Sequence, residues 1–368
     1  MKRIALLLLL AACATRPPVD EETAHIDGVL AREPDNTVYL YIKAGHYDRD
    51  KDVANVVRTL ARLDRLGWDL GVGARSFENS AASPEFQQLV ARLEAREHVA
   101  SRATPAFTLP ATVRSEGITY DPVDDVFYFS GGADKLLRVD RTGHSTDFPI
   151  EPFGSAGRLG MDVDAQRRHL WAVSAPLREP GASAISVYDL RDGKLVRRVT
   201  LGSASEPAFL NDLTLLEDGT AFVTDTNRHH VYRLAPGATS FELFAKDFLW
   251  PNGIQISADA RTLYVADFRG LNAVDLPTKS RRVLETSTPL NGIDGLGEHD
   301  GKLIGIHNVL GRPRVVRVTP GDRTVELLES KHPRVFTPAT GVVAGSDYYF
   351  MANRSEKDAE RRILKIPL

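Results

Sequence analysis

The chain carries a single cysteine, Cys13, in 368 residues. A lone thiol near the amino terminus leaves no disulfide framework and no cysteine-based metal cluster, so stability must come from packing. There is no nucleophilic-elbow Gly-x-Ser-x-Gly and no glycine-rich phosphate loop. A basic block that could track phosphates is also missing. Lys and Arg number 46 against 49 Asp and Glu, the net charge is −3, and nucleic acid is not expected as a partner. The apolar run Ile4 to Leu10 is too short to span a bilayer. What remains is a chain with 42% hydrophobic and 26% charged residues, ample for a core of domain size.

The opening "MKRIALLLLLAAC" places Lys2 and Arg3 before that apolar run and small residues after it, the make-up of a secretory signal. Leu10-Ala11-Ala12-Cys13 resembles the bacterial lipoprotein box, in which the cysteine becomes the lipidated first residue. The resemblance implies a signal peptide over 1–12, lipidation at Cys13, and a polar, proline-containing tether over 13–24. Ala14 follows the cysteine, so the resemblance points to the outer membrane of a bacterial envelope, facing the periplasm. The membrane is thereby an expected partner through the anchor.

Residues 25–98 have a helical period. Val53, Val56, Leu60 and Leu63 share a face, and Gly67 offers a stop. Ser83 reads as an N-cap with Pro84 at the first helical position, and Phe86, Leu89 and Leu93 line the following helix. Val38 to Ala44, ended by Gly45, reads as a shorter helix. The segment resembles a degenerate tetratricopeptide-type unit. About two such units cannot bury their apolar faces alone, so a cap on the main domain or a spacer is expected. The Arg58, Arg62 and Arg65 face reads as a solvated surface.

From residue 105 to 368 strands dominate, and one phrase recurs. Its six openings are "SEGITYDPVDDVFYFSGG", "RLGMDVDAQRRHLWAVS", "LNDLTLLEDGTAFVTD", "PNGIQISADARTLYVAD", "IDGLGEHDGKLIGIH" and "ATGVVAGSDYYFMAN". The phase residues Glu116, Gly160, Asn211, Asn252, Asp294 and Thr340 are spaced by about 45 residues, the size of a four-stranded propeller blade. The expected fold is an all-β six-bladed β-propeller preceded by a small α-helical segment. The last repeat has three strands, and "AFTLPA" could supply its missing outer strand. A β-sandwich gives no reason for a phase held over six units.

In a propeller the first strand of each blade lines the central channel, so its first residues meet at one mouth. Glu116, Asn211, Asn252 and Asp294 would then form an all-oxygen set. Such a set suits a divalent cation: Ca²⁺ first, with Zn²⁺, Mg²⁺ or Mn²⁺ as alternatives. Close carboxylates also call for a cation to offset their repulsion. Gly253 is expected to let the backbone turn into the channel without crowding the ion. Asp225 and Asp267, in "VTD" and "VAD", read as fold-defining polar residues. His229 and His230 fall between blade strands, His299 in a turn, and His307 at a strand end in a structural role.

The same motifs resemble the senescence marker protein/gluconolactonase superfamily, with paraoxonases as more distant relatives. The resemblance covers roughly residues 105–368. It implies a six-bladed propeller with a metal in the central channel and hydrolysis of lactones or organophosphate esters. Glu116 matches the Glu of the family's "EG" strand, Asn211 the Asn of "ND", Asn252 the Asn of "NG" and Asp294 the Asp of "DG". Two residues before the "ND" Asn, gluconolactonase-type members carry a sugar-binding Arg; here it is Phe209. The paraoxonase His-dyad motif is not visible. Arg158 is the candidate substitute for the sugar-binding cation.

The expected chemistry is metal-assisted hydrolysis, in which the metal polarises a lactone or ester carbonyl and a carboxylate takes a proton from water. Asp294 is the candidate for both ligand and base. The alternative is a non-catalytic, lipid-anchored propeller acting as a binding scaffold in the cell envelope, with a structural metal.

Overall fold

The computed structural model describes residues 19–67, 77–95, 99–111, 113, 115–130, 135–154, 156–177, 179–307, 313–330, 332, 335, 338–352 and 360–368, with the side chains of 19–22, 94, 135 and 158 left out. Cys13 and the signal segment lie outside the described residues. Among the described residues no helix is long and apolar enough to cross a membrane.

Among the described residues four helices come first: α1 Val19–Arg32, α2 Thr37–Arg49, α3 Val53–Arg65 and α4 Pro84–Ala95. Each later start has a capping side chain that satisfies an orphan backbone donor. Asn36 accepts from Tyr39 N at 3.2 Å, Asp52 from Asn55 N at 3.1 Å, and Ser83 Oγ from Phe86 N at 3.4 Å. Leu66 caps α3, with Gly67 following at φ +81°. Val56, Leu60, Leu63, Phe86, Leu89 and Leu93 share one buried cluster with Leu40 and Ala44. Two expectations change. Helix α1 begins at Val19, inside the stretch read as tether, and α2 runs through Gly45 to Arg49.

The rest is six four-stranded antiparallel sheets. The first blade is β2 Ile118–Asp121, β3 Val126–Ser130, β4 Lys135–Asp140 and β5 Ser145–Pro149. The second is β6 Gly157–Asp164, β7 His169–Ala175, β8 Ser183–Asp189 and β9 Leu195–Leu201; the third is β10 Leu210–Leu215, β11 Ala221–Asp225, β12 His230–Leu234 and β13 Glu242–Ala245. The fourth is β14 Ile254–Ile256, β15 Thr262–Asp267, β16 Gly270–Asp275 and β17 Arg281–Val283; the fifth is β18 Ile293–His299, β19 Lys302–His307, β20 Arg314–Val318 and β21 Val325–Glu329. In the sixth, β22 Gly341–Ala344, β23 Asp347–Met351 and β24 Glu360–Pro367 are joined by β1 Thr104–Pro110, which pairs with β24 as the outermost strand. "AFTLPA" therefore closes the ring, as its sequence suggested.

The inner strands β2, β6, β10, β14, β18 and β22 neighbour one another in that order, and β22 returns to β2. One apolar cluster fills each seam between blades. Burying each Leu, Val or Phe there contributes about 1.5–3 kcal/mol. At the seam of the sixth and first blades, Arg141 stands over the rings of Tyr120, Phe127 and Tyr349. It also donates to Asp125 at 2.7 Å and to the hydroxyls of Tyr120 and Tyr349 at 2.9 Å.

Candidate active site

Each inner strand enters the channel from the same face, here called the mouth. The loop from the preceding blade and the turn between the second and third strands also lie there. Ladder pairing breaks at the mouth end of three inner strands. Register shifts fall between Arg158 and Met161 in β6, Leu210 and Leu213 in β10, and Ile293 and Leu296 in β18. A bulge re-aims a side chain that the pleat would otherwise direct elsewhere. Asn211-Asp212 and Asp294-Gly295 occupy two of these bulges. Glu116 and Asn252 instead stand two residues ahead of β2 and β14.

Asn252 and Asp294 are in direct contact: Asn252 Nδ2 donates to Asp294 Oδ1 at 2.7 Å. Asn211 is tied to the same place through the third blade. Its Nδ2 bonds to Thr226 Oγ1 at 3.0 Å, and that hydroxyl donates to Pro251 O at 2.7 Å, next to Asn252. Thr224 Oγ1 donates to Asn252 O at 2.8 Å. Both amide NH₂ groups are thereby engaged, which leaves the amide oxygens as the ends suited to a cation. Glu116 takes its backbone bond from N to Ser130 Oγ, at 2.9 Å, and shares a small cleft with Thr340. Thr340 in turn touches the Asp294-Gly295 bulge.

Among the described residues no three His, Cys, Asp or Glu side chains cluster as a metal site. Any cation at this mouth therefore depends on the asparagines. Two carboxylates and two amide oxygens carry a formal charge of −2, which matches a divalent cation, and hard oxygen donors suit Ca²⁺ or Mg²⁺. The donor set fits.

Gly253 is required by a neighbour. A Cβ there would stand 2.6 Å from Asp294 O and 3.0 Å from Leu296 N, so the fourth blade meets the fifth without room for a side chain. Gly160 plays the same part toward Asp212, whose Oδ1 would lie 2.3 Å from an added Cβ. Asp225 accepts from Phe209 N and Arg228 N, both at 3.1 Å, and Asp267 from Leu249 N at 3.0 Å and Arg269 N at 2.8 Å. Both carboxylates pin the mouth loops, as fold-defining residues should.

Below the mouth is a cavity of about 200 Å³ lined from all six blades, with Asp162, Asp212, Gln255 and Glu298 among its polar residues. The sequence did not single out Asp162 or Asp212. Burial raises both carboxyls to about 7, against backbone bonds from Val163 and Leu215 to Asp162 and from Leu213 and Ile254 to Asp212. Burial also raises Tyr348, whose hydroxyl has no hydrogen-bond partner among the described residues, and Asp212 and Asp294 add to that shift. Asp212 had a signal in its place directly after Asn211. Asp162 had none.

Arg158 lies in β6 opposite Ser174; its side chain is outside the described residues. Phe209 is half-buried on the mouth face, two residues before Asn211. His299 ends β18 at the far face. His307 is buried, with Nε2 2.6 Å from Asn291 O, and burial pushes it down to about 4. His229 lies between blade strands, as expected, and its turn is on the mouth face, where its Nδ1 accepts from Trp250 N at 3.2 Å.

The helical segment sits on this face too. Tyr39 of α2 stacks on Trp250, with ring centroids 6.3 Å apart, in a cluster with Ile26, Val29 and Leu249. Thr37 Oγ1 donates to Asn291 Oδ1 at 3.4 Å, on the loop leading to Asp294.

Comparison with known proteins agrees with this geometry. A family profile described as the SMP-30/Gluconolactonase/LRE-like region matches residues 114–347. No curated protein gives a significant match to the chain. Among solved structures, a gluconolactonase from Xanthomonas campestris is similar at 20% identity and a TM-score of 0.53, over 71% of this chain and 88% of that one. A PQQ-bound aldose sugar dehydrogenase from Streptomyces coelicolor gives 14% identity and a TM-score of 0.52, over 72% and 97%. A catalytically inactive virginiamycin B lyase from Staphylococcus aureus, with quinupristin, gives 16% and 0.51, over 66% and 77%. At these identities the structural likeness speaks to fold alone.

Proposed function

The chain belongs to the SMP-30/gluconolactonase/LRE-like family, and from that premise we propose that it is a metal-dependent hydrolase of lactones or related esters working at the channel mouth. The observation that carries the proposal is the contact of Asn252 with Asp294, which joins side chains from the fourth and fifth blades. Glu116, Asn211, Asn252 and Asp294 would hold a divalent cation, Ca²⁺ in the first instance. When bound, that cation supplies Lewis-acid polarisation of the substrate carbonyl.

The chain's own residues do the rest. Asp294 takes the proton of the attacking water, its Oδ1 held in place by Asn252. Thr226 fixes the Asn211 amide and Thr224 the backbone carbonyl of Asn252, so little reorganisation is needed as the oxyanion forms. Phe209 stands where a sugar-binding Arg would be, which favours apolar lactones over sugar lactones. Anchoring at Cys13 would put this chemistry on the outer membrane, facing the periplasm.

The test is hydrolysis of γ-lactones, δ-lactones and aryl esters with each of Ca²⁺, Mg²⁺, Mn²⁺ and Zn²⁺. Turnover that chelator abolishes, and that Asn252→Ala and Asp294→Ala lose while staying folded, is the expected result. A folded protein inert across panel and metals is not a hydrolase of this class. If chelator nonetheless lowers its melting temperature, the metal is structural.

A further inference from the structure

Trp250 combines three features that do not follow from the propeller fold. Its backbone is left-handed, at φ +50°, in a bulky residue directly before a proline. Both facts disfavour that conformation, which glycine would adopt without strain. His229, which touches it, is also left-handed, at φ +62°. Strained positions of this kind persist where the surroundings over-determine them, and they cluster at functional sites.

The second feature is the bracing. The indole stacks on Tyr39, tilts on His229 with centroids at 5.9 Å, and meets Phe268 edge-on at 5.3 Å. Tyr39 is only 2% exposed, and its hydroxyl lies 3.3 Å from His25 Nε2. The third feature is position. Trp250 keeps part of its surface exposed and is two residues from Asn252, so the two Cα atoms are at most about 7 Å apart. Half-buried Phe209 stands at the matching place ahead of Asn211 in the preceding blade.

We propose that Trp250 is a substrate-contacting wall of the mouth and that Tyr39, from the helical segment, is its positioning residue. The segment is thereby part of the specificity machinery. The ligand part it selects is flat and apolar: an aryl substituent on the lactone ring, stacked on the indole. The inference rests on the hydrolase proposal for the identity of the ring, and its binding test does not.

Two measurements decide it. The first compares kcat/KM for a phenyl-substituted and an unsubstituted δ-lactone. Wild type should prefer the phenyl substrate at least tenfold. Trp250→Gly, which suits the backbone, and Tyr39→Ala should each lose that preference through KM, and Tyr39→Phe should keep it. The second titrates tryptophan fluorescence with the matching phenyl-substituted δ-lactam, which is not a lactone substrate. Saturable quenching, weakened at least tenfold in Tyr39→Ala, is expected. Lactam binding that depends on Tyr39, without hydrolysis of any lactone, supports the wall and removes the hydrolase. Hydrolysis with unchanged preference in both variants, equal lactam affinity in wild type and Tyr39→Ala, or no lactam binding at all overturns the wall.

Discussion

The Thr226 hydroxyl donates to the Pro251 carbonyl across the boundary of two blades, at 2.7 Å, while accepting from Asn211. One buried oxygen thus sets both the loop that carries Asn252 and the amide of Asn211. Thr226→Val keeps the volume and removes that oxygen, stranding a carbonyl and an amide. The expected stability loss is about 1–3 kcal/mol by urea unfolding. Metal affinity, read as the concentration needed for half-maximal activity, should fall about tenfold, by analogy with the loss of partners that orient metal ligands. An unchanged half-saturation concentration would detach Asn211 from the metal site.

Gly253→Ala pushes a methyl group into the backbone of the fifth blade, at Asp294 O. Backbone yields less than a flexible side-chain tip, so about 1–3 kcal/mol should be lost. The displaced strand carries Asp294, so kcat should drop with stability. Differential scanning calorimetry beside steady-state kinetics checks both, and a neutral variant would show that the two strands can separate at no cost.

His307 gives the fold a pH dependence. Burial lowers its folded value from 6.5 to about 4, with Arg314 adding to the shift. The folded state therefore refuses a proton that the unfolded chain accepts. Stability is intact above pH 6.5 and erodes as pH falls toward 4, by up to ~3 kcal/mol from this one group. His307→Gln should flatten that part of the profile in urea midpoints measured between pH 4 and 7. A variant whose midpoints follow the wild-type slope would remove His307 as the cause.

Arg141 offers a separation of stability from chemistry. It bridges the first and sixth blades at their shared seam through Asp125, Tyr120 and Tyr349. Arg141→Met should cost about 1–3 kcal/mol from lost hydrogen bonds and ring contacts, with kcat/KM unchanged. Urea unfolding and steady-state rates on the same preparation test the pair of outcomes.

The six blades were legible because strand alternation and a repeat of about 45 residues reinforce each other over most of the chain. The contact of Asn252 with Asp294 was legible for the same reason, since phase converts distance along the sequence into proximity. Helix α1 was not, because among its described side chains only Ile26 and Val29 are buried hydrophobics. Gly45 looked like a stop, yet a Cβ there would meet no neighbour within 4 Å, and packing of Leu40 and Ala44 carries α2 past it. Asp162 and Asp212 face the cavity because bulges interrupt the pleat in β6 and β10. A two-residue alternation cannot place a bulge in advance, so their exposure to the channel had to be seen.

The pairing of β1 with β24 also governs how the molecule is made. A ribosome releases β1 early, with the helical segment, and the strand it needs emerges only after the remaining blades. Until then the nascent ring has two raw edges, each a template for mispairing. Helices α1 and α2 dock on the loops that lead into the fourth and fifth blades, so they too must wait. Birth order and assembly order therefore differ here, and a chain cut short of Glu360 would leave β1 without its partner and the sixth blade with β22 and β23 alone.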